Sequence, residues 1–166
     1  MYSTAEGAKQ EIKMKDKKTI WAWLPVGVML TVIFSLTLQS PEGTSHLSKW
    51  VQDFLLSLFD EGVAPAWLYD MHWVRSYAHI PLYFALSLTV YLALSASFAD
   101  GKPAFRRAAL LALLAAAISS LVGLFDEFIK MFLPMREFDV VDLGIDVVAS
   151  VVGAGVGAIA SCVLRR

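Results

Sequence analysis

Three short runs of this chain hold side chains whose types and spacing could do chemistry. In "RSYAHIPLY", Arg75, His79 and Tyr83 fall four residues apart, which on a helix places them on one face over about two turns. In "SSLVGLFDEFIK", Ser119, Gly123, Asp126, Glu127 and Lys130 share one side by the same count. Asp142 and Asp146 open a stripe that continues through Ala149, Gly153, Gly157 and Ser161, and Arg136 stands between the last two runs. As a ligand site, Arg75, Lys130 and Arg136 would take a phosphate or carboxylate, Arg through a two-pronged fork and Lys as a point charge. His79, Tyr83, Asp126, Glu127, Asp142 and Asp146 would meet hydroxyl, amide or amine groups.

A catalytic use draws on the same residues. His79, Asp126, Glu127, Asp142 and Asp146 are the candidates for general acid-base work on a lipid headgroup, with one Asp as base or nucleophile and Arg steadying a developing anion. No Ser or Cys nucleophile motif accompanies them. Asp126, Glu127, Asp142 and Asp146 would offer a divalent metal only oxygen ligands, a choice that favours Mg²⁺ or Ca²⁺. The expectation is no metal and no cofactor. The single cysteine, Cys162, lies in an apolar run and excludes an internal disulfide or a cysteine-clustered metal site.

The elements that must position these groups follow from composition. The chain has 166 residues, 57% apolar and 17% charged, with a mean hydropathy of +0.60, which is a membrane composition. Spanning a hydrocarbon core takes roughly 20 apolar residues at about 1.5 Å each. The stretches 19–38, 80–98, 108–125 and 147–164 qualify, and none contains Lys, Arg, Asp, Glu or His. The first is too long for a typical signal-peptide core and lacks a small-x-small cleavage pattern after it, so it reads as a retained helix.

Charge sets the expected orientation. Lys9, Lys13, Lys15, Lys17, Lys18, Lys102, Arg106, Arg107, Arg165 and Arg166 flank the spans on one side; Lys49, Arg75, Lys130 and Arg136 lie on the other, with eleven carboxylates. Cytoplasmic loops carry the excess of Lys and Arg, so both termini should be cytoplasmic and the acidic connections should face outward. The expected architecture is all-α: a polytopic four-transmembrane-helix bundle with an additional amphipathic interfacial helix at about 46–60. A basic, loosely ordered segment, 1–18, precedes a single membrane domain, 19–166, with outward loops at 39–79 and 126–146.

Within the first outward loop, Leu47, Trp50, Val51, Phe54, Leu55, Leu58 and Phe59 recur at helical spacing, with Ser48, Lys49, Gln52 and Asp53 opposite. This helix should lie in the interface plane with its apolar face toward lipid or the bundle. Trp67, Tyr69 and Trp73 then suit an interfacial belt. In the last span, Gly153 and Gly157 belong to a small-xxx-small ridge that lets helices approach closely. If that ridge faces a neighbouring helix, Asp142 and Asp146 face the same way and need partners among Arg75, His79, Lys130 and Arg136. An ion-paired plug that merely orients the spans is the plainer reading of the same charges.

"DEFIKMFLPMREFDVVDLGIDVVASVVG" resembles the signature of the VanZ-like family of bacterial membrane proteins. The matching positions are Asp126, Glu127, Pro134, Arg136, Asp142 and Asp146. "RSYAHIPLY" is similar to the family's second motif through Arg75, His79 and Tyr83, and "FSLTLQS" resembles the Ser-rich ending of its first helix. The resemblance covers roughly residues 20–160. Lys130 stands where the family has Gln, Leu82 where an acidic residue is common, Met135 at the turn Gly and Ala149 at a frequent Gly. The family takes its name from a protein associated with low-level resistance to glycopeptide antibiotics, particularly the lipidated teicoplanin.

The resemblance implies an envelope role in the bacterial cytoplasmic (inner) membrane. With the residues, it leads to a protein that binds an amphiphile at the outer leaflet, either a lipid-linked cell-wall intermediate or a lipoglycopeptide. A membrane-embedded enzyme acting on a lipid headgroup is the alternative. So is a small accessory subunit, joined by its ridge and amphipathic helix to a membrane-protein partner or a second copy. Nucleic acid is not an expected partner. The topology has a direct check: an Arg136→Cys variant should react with an impermeant maleimide added from outside intact cells, and reaction only from the cytoplasmic side would invert the orientation.

Overall fold

The computed structural model describes residues 3–60, 63–98, 105–134 and 136–164, with the side chains of 3–18, 41 and 164 left aside. Lys102, Arg165 and Arg166 therefore lie outside the described residues, as do the side chains of Lys9 through Lys18. The order is α1 (Ser3–Thr37), α2 (Pro41–Leu56), a single 3-10 turn (Ala66–Tyr69), α3 (Met71–Ser97), α4 (Phe105–Lys130) and α5 (Val140–Leu164). Four segments are long and apolar enough to cross a membrane: Thr19–Thr37, Met71–Ser97, Phe105–Lys130 and Val140–Val163. The chain is an all-α, multi-pass membrane protein.

The helices run past the boundaries that apolar runs alone suggest. α3 starts nine residues ahead of position 80, α4 continues to Lys130, and α5 starts at Val140. Much of the stretches 39–79 and 126–146, expected as loops, is thus helical. The residues responsible are caps. Asp70 accepts a hydrogen bond from the His72 N–H at 2.9 Å. Asp139 accepts from Val141 at 2.8 Å and from Asp142 at 3.4 Å. Each meets N–H groups that the first turn of a helix would leave unpaired. The segment 1–18 also differs from expectation, since from Ser3 onward it continues α1.

α2 is displaced from the expected 46–60 for the same reason. Ser40 accepts from the Gly43 N–H at 3.2 Å and Pro41 occupies the first turn, where its missing N–H costs nothing. The helix ends at Leu56, and Leu58 and Phe59 follow in a turn. Its orientation is now defined. Trp50 and Phe54 are exposed and stack at 6.0 Å, while Leu47 lines a cavity beside Thr44. Thr44, Ser48 and Gln52 turn inward, and Gln52 donates to the Leu68 carbonyl at 2.7 Å.

α3 and α5 run parallel in close contact, α4 covers α5, and α1 lies along α3. Small residues make this possible. A Cβ at Gly153 would collide with the Phe84 carbonyl, and one at Gly157 would lie 2.6 Å from the Tyr91 ring. Gly123 gives the same clearance between α4 and α5, where a Cβ would be 2.9 Å from Asp146 Oδ2. Without a hydrophobic drive between helices in lipid, such close approach is the main source of cohesion. Around these contacts Tyr83, Leu86, Val90, Tyr91, Leu111 and Ala115 form the buried core.

Gly153→Ala should therefore destabilise the bundle by about 1–3 kcal/mol in detergent unfolding titrations. Gly155→Ala, which meets nothing within 4 Å, should stay within about 0.5 kcal/mol of the parent. Equal effects at both positions would refute the close-contact role of Gly153.

Candidate functional site

At the end of the bundle that carries α2 and the α4–α5 turn, helical periodicity and tight packing bring acidic residues from α4 and α5 together. Asp126, Glu127, Asp142 and Asp146 are all buried, Glu127 and Asp146 at 0% exposure. Asp126 and Glu127 sit above Ser119 and Gly123 on the face of α4 that packs inward. Asp142 and Asp146 sit above the Ala149–Gly153–Gly157 ridge.

Two groups compensate this charge from within. Lys130, on the same face of α4, donates to Glu127 Oε1 and has its ammonium 3.8 Å from Asp126 and 3.7 Å from Asp142. His79 of α3 places Nδ1 at 2.9 Å from Asp146 Oδ1 and Nε2 at 3.6 Å from Asp142 Oδ2. Its ring stacks on Tyr83 at 5.9 Å, one turn deeper. Beneath this level, Ser87, Ser119 and Ser150 are fully buried and their hydroxyls have no protein partner, so the polar strip continues toward the middle of the bundle.

Arg75 and Arg136 behave differently from the expectation that they pair with the carboxylates. Arg136 donates to the Gln39 carbonyl at 3.1 Å and to Thr44 Oγ1 at 2.5 Å. Arg75 makes no ion pair among the described residues. The two guanidinium groups are near enough to interact, and partial burial followed by the Arg75 charge lowers the Arg136 pKa. A guanidinium remains charged at neutral pH even so.

Four further participants escaped the sequence reading. Thr37 donates to Asp126 Oδ1 from the end of α1. Gln39 and Thr44 hold Arg136. The Asp139 N–H donates to Glu127 Oε2 at 3.0 Å, linking the α5 cap to the acid cluster. The available signal was the polar ending "FSLTLQS" of the first span, followed by the Ser-Pro helix start.

A cavity of about 120 Å³ opens over this arrangement. Of its lining residues, the buried Tyr83, Asp126, Lys130 and Asp142 make the floor, the half-buried His79 a side, and the less buried Arg75 and Arg136 the mouth, with Ile33, Leu36 and Leu82 adding an apolar side. Pockets for drug-sized ligands occupy about 300–1,000 Å³, so this one suits a headgroup and not a whole large ligand. His79, Glu127 and Asp142 can bring one donor atom each within 4.8 Å of one another, as a metal site would need. Glu127 is already committed, one oxygen to Lys130 and the other to the Asp139 N–H. The His79 Nδ1 is committed to Asp146. A cation there would have to displace the Lys130 ammonium, so the donor set favours the internal lysine over a metal.

Because burial strips these carboxylates of water, Lys130→Met should destabilise the protein by about 3–5 kcal/mol. Adding Glu127→Gln should recover at least about 1 kcal/mol of that loss, read as coupling in a double-mutant unfolding cycle. Strict additivity of the two changes would mean that the pair does not interact.

Comparison with known proteins bears on the whole membrane domain. No curated protein and no solved structure matches the chain. The family model of VanZ/LLP1 matches residues 21–161, a stretch that holds all four candidate spans except the first two residues of one and the last two of another. It also includes every residue of the buried charge cluster. The match takes in the carboxylates of α4 and α5 and the His79 motif of α3 alike, and the chain belongs to the VanZ/LLP1 family.

Proposed function

We propose that this VanZ/LLP1 protein binds the polar end of an amphiphile at the extracytoplasmic end of its bundle in the bacterial inner membrane. The amphiphile would be a lipid-linked cell-wall intermediate or a lipoglycopeptide such as teicoplanin, and holding it would serve envelope function or glycopeptide resistance. One observation carries this reading. A headgroup-sized cavity has a charged floor, two arginines at its mouth without carboxylate partners among the described residues, and an apolar wall on one side. An ion-paired plug would consume its charges internally. Here Arg75 and Arg136 stay available to an anion, and Ile33 with the half-buried Leu36 and Leu82 gives the cavity an apolar side for the start of a tail. Both termini would then lie in the cytoplasm, as the Lys and Arg distribution favours.

Catalysis is the second reading, favoured by the His79–Asp146 contact at 2.9 Å, which orients the imidazole as a general base is oriented. His79 Nε2 faces Asp142 at 3.6 Å, and no nucleophilic Ser or Cys lines the cavity. The binding reading requires less.

Purified Arg136→Ala and Asp142→Asn variants should keep the parent's helical content and lose most loading of a fluorescent lipoglycopeptide or lipid-linked precursor in nanodiscs. Full loading in both variants would remove the site. Release of a headgroup product by the parent, absent in His79→Ala, would establish the enzyme instead.

A further inference from the structure

The cavity is polarised along its depth. Arg75 and Arg136 at the mouth are donors only, and neither has a carboxylate partner among the described residues. Two like charges held together in this way form a subsite for an anion with several acceptor oxygens, the situation a phosphate meets best. Arg75 lies one helical turn, roughly 6 Å, above His79 along α3, so the anion would stay at the mouth.

The floor has the opposite character. Asp142 is 9% exposed and lines the cavity, and its Oδ1 has no hydrogen-bond partner among the described residues. Tyr83 is 1% exposed, also lines the cavity, and its hydroxyl is likewise unpartnered. Buried polar atoms of this kind are normally satisfied, and leaving one unmet costs about 1–3 kcal/mol. Lys130 is occupied by Glu127 and its neighbours, so the four carboxyl groups of the floor share one lysine and one imidazole. An alkylammonium has three N–H donors and one positive charge. It supplies what Asp142 and Tyr83 lack.

Resting on the reading that this cavity takes the polar end of an amphiphile, we infer that it also accepts a membrane phospholipid whose headgroup carries a primary amine beyond its phosphate, as an aminoethyl phosphate does. The phosphate lies between Arg75 and Arg136, the ammonium reaches Asp142 and Tyr83, and the acyl chains leave past the half-buried Leu36 and Leu82. The two-carbon link between amine and phosphate suits a cavity of about 120 Å³ in which Asp142 meets His79 at 3.6 Å, one helical turn below Arg75, with Tyr83 a further turn along α3. A quaternary ammonium has no N–H to donate and is bulkier, so the site discriminates against choline headgroups.

Native mass spectrometry of the delipidated full-length protein tests this with three lipids of equal chain length: phosphatidylethanolamine, phosphatidylcholine and phosphatidylglycerol. The parent should retain phosphatidylethanolamine about tenfold better than either of the others, the discrimination expected of one charge-assisted hydrogen-bond set. Asp142→Asn should bring phosphatidylethanolamine down to the level of phosphatidylglycerol without changing the latter. Arg75→Ala should weaken both. Tyr83→Phe, which keeps the ring stacked on His79, should lower phosphatidylethanolamine alone and guards against a folding defect in the aspartate variant. Equal retention of all three lipids, still sensitive to Arg136→Ala, would overturn the amine while leaving the amphiphile site in place. Retention insensitive to Arg75, Arg136 and Asp142 would overturn both. Soluble phosphoethanolamine displacing the lipid at equal concentration would show that the acyl chains add nothing and refute the lipid assignment.

Discussion

Lys130 places one ammonium against Glu127, Asp126 and Asp142, in a position largely closed to solvent. Burying three carboxyl groups side by side would be costly without it, because the desolvation of a charge exceeds what a distant partner returns. The packing of the bundle end follows from that requirement. Asp126 and Lys130 must be on the same face of α4, Asp142 must face α4 across the interface, and the helices must come close enough for one side chain to serve all three. Gly123 and Gly153 provide that closeness, the first against Asp146 and the second against the backbone of α3. The small-residue ridge and the acid cluster are two parts of one arrangement.

His79 plays the corresponding part from α3. Held at Asp146 on one side and stacked on Tyr83 on the other, it ties the third helix to the same charge. α1 joins through Thr37 and, beyond its end, through the Gln39 carbonyl that receives Arg136. Every span therefore contributes a polar contact at this end of the molecule. Deeper in the bundle, close packing at the glycines and buried serines takes over, and at the opposite end Trp23 of α1 donates to Ser97 of α3 at 3.0 Å. Buried ion pairs are weak sources of net stability but strong determinants of alignment, since a misregistered helix would bury an unpaired charge.

Much of this was legible from spacing. Residues four apart share a helical face whatever surrounds them, so the alignment of Arg75 with His79 and Tyr83, and of Asp142 with Asp146 and the glycines, follows from the 3.6-residue period. The limits of the helices were less legible. Apolar runs mark where a chain is comfortable in lipid, whereas helices end where backbone N–H and C=O groups find caps. Asp70, Asp139 and Ser40 moved three boundaries for that reason. Orientation of α2 was likewise undetermined, because an amphipathic helix with lipid on one side and protein on the other can bury either face. Thr44, Ser48 and Gln52 turned out to have partners or neighbours inward, and Trp50 and Phe54 did not.

By itself, the sequence determined the solvent, the number of spans, the faces of the helices and the kinds of charge that had to meet: these depend on composition and on local periodicity, which need no knowledge of neighbours. Only the tertiary structure decided who meets whom. Lys130 and His79 took the carboxylates, while Arg75 and Arg136 remained at the mouth. That assignment depends on the depth and rotation of one helix against another, and a shift of a single turn, about 5.4 Å, would exchange every partner.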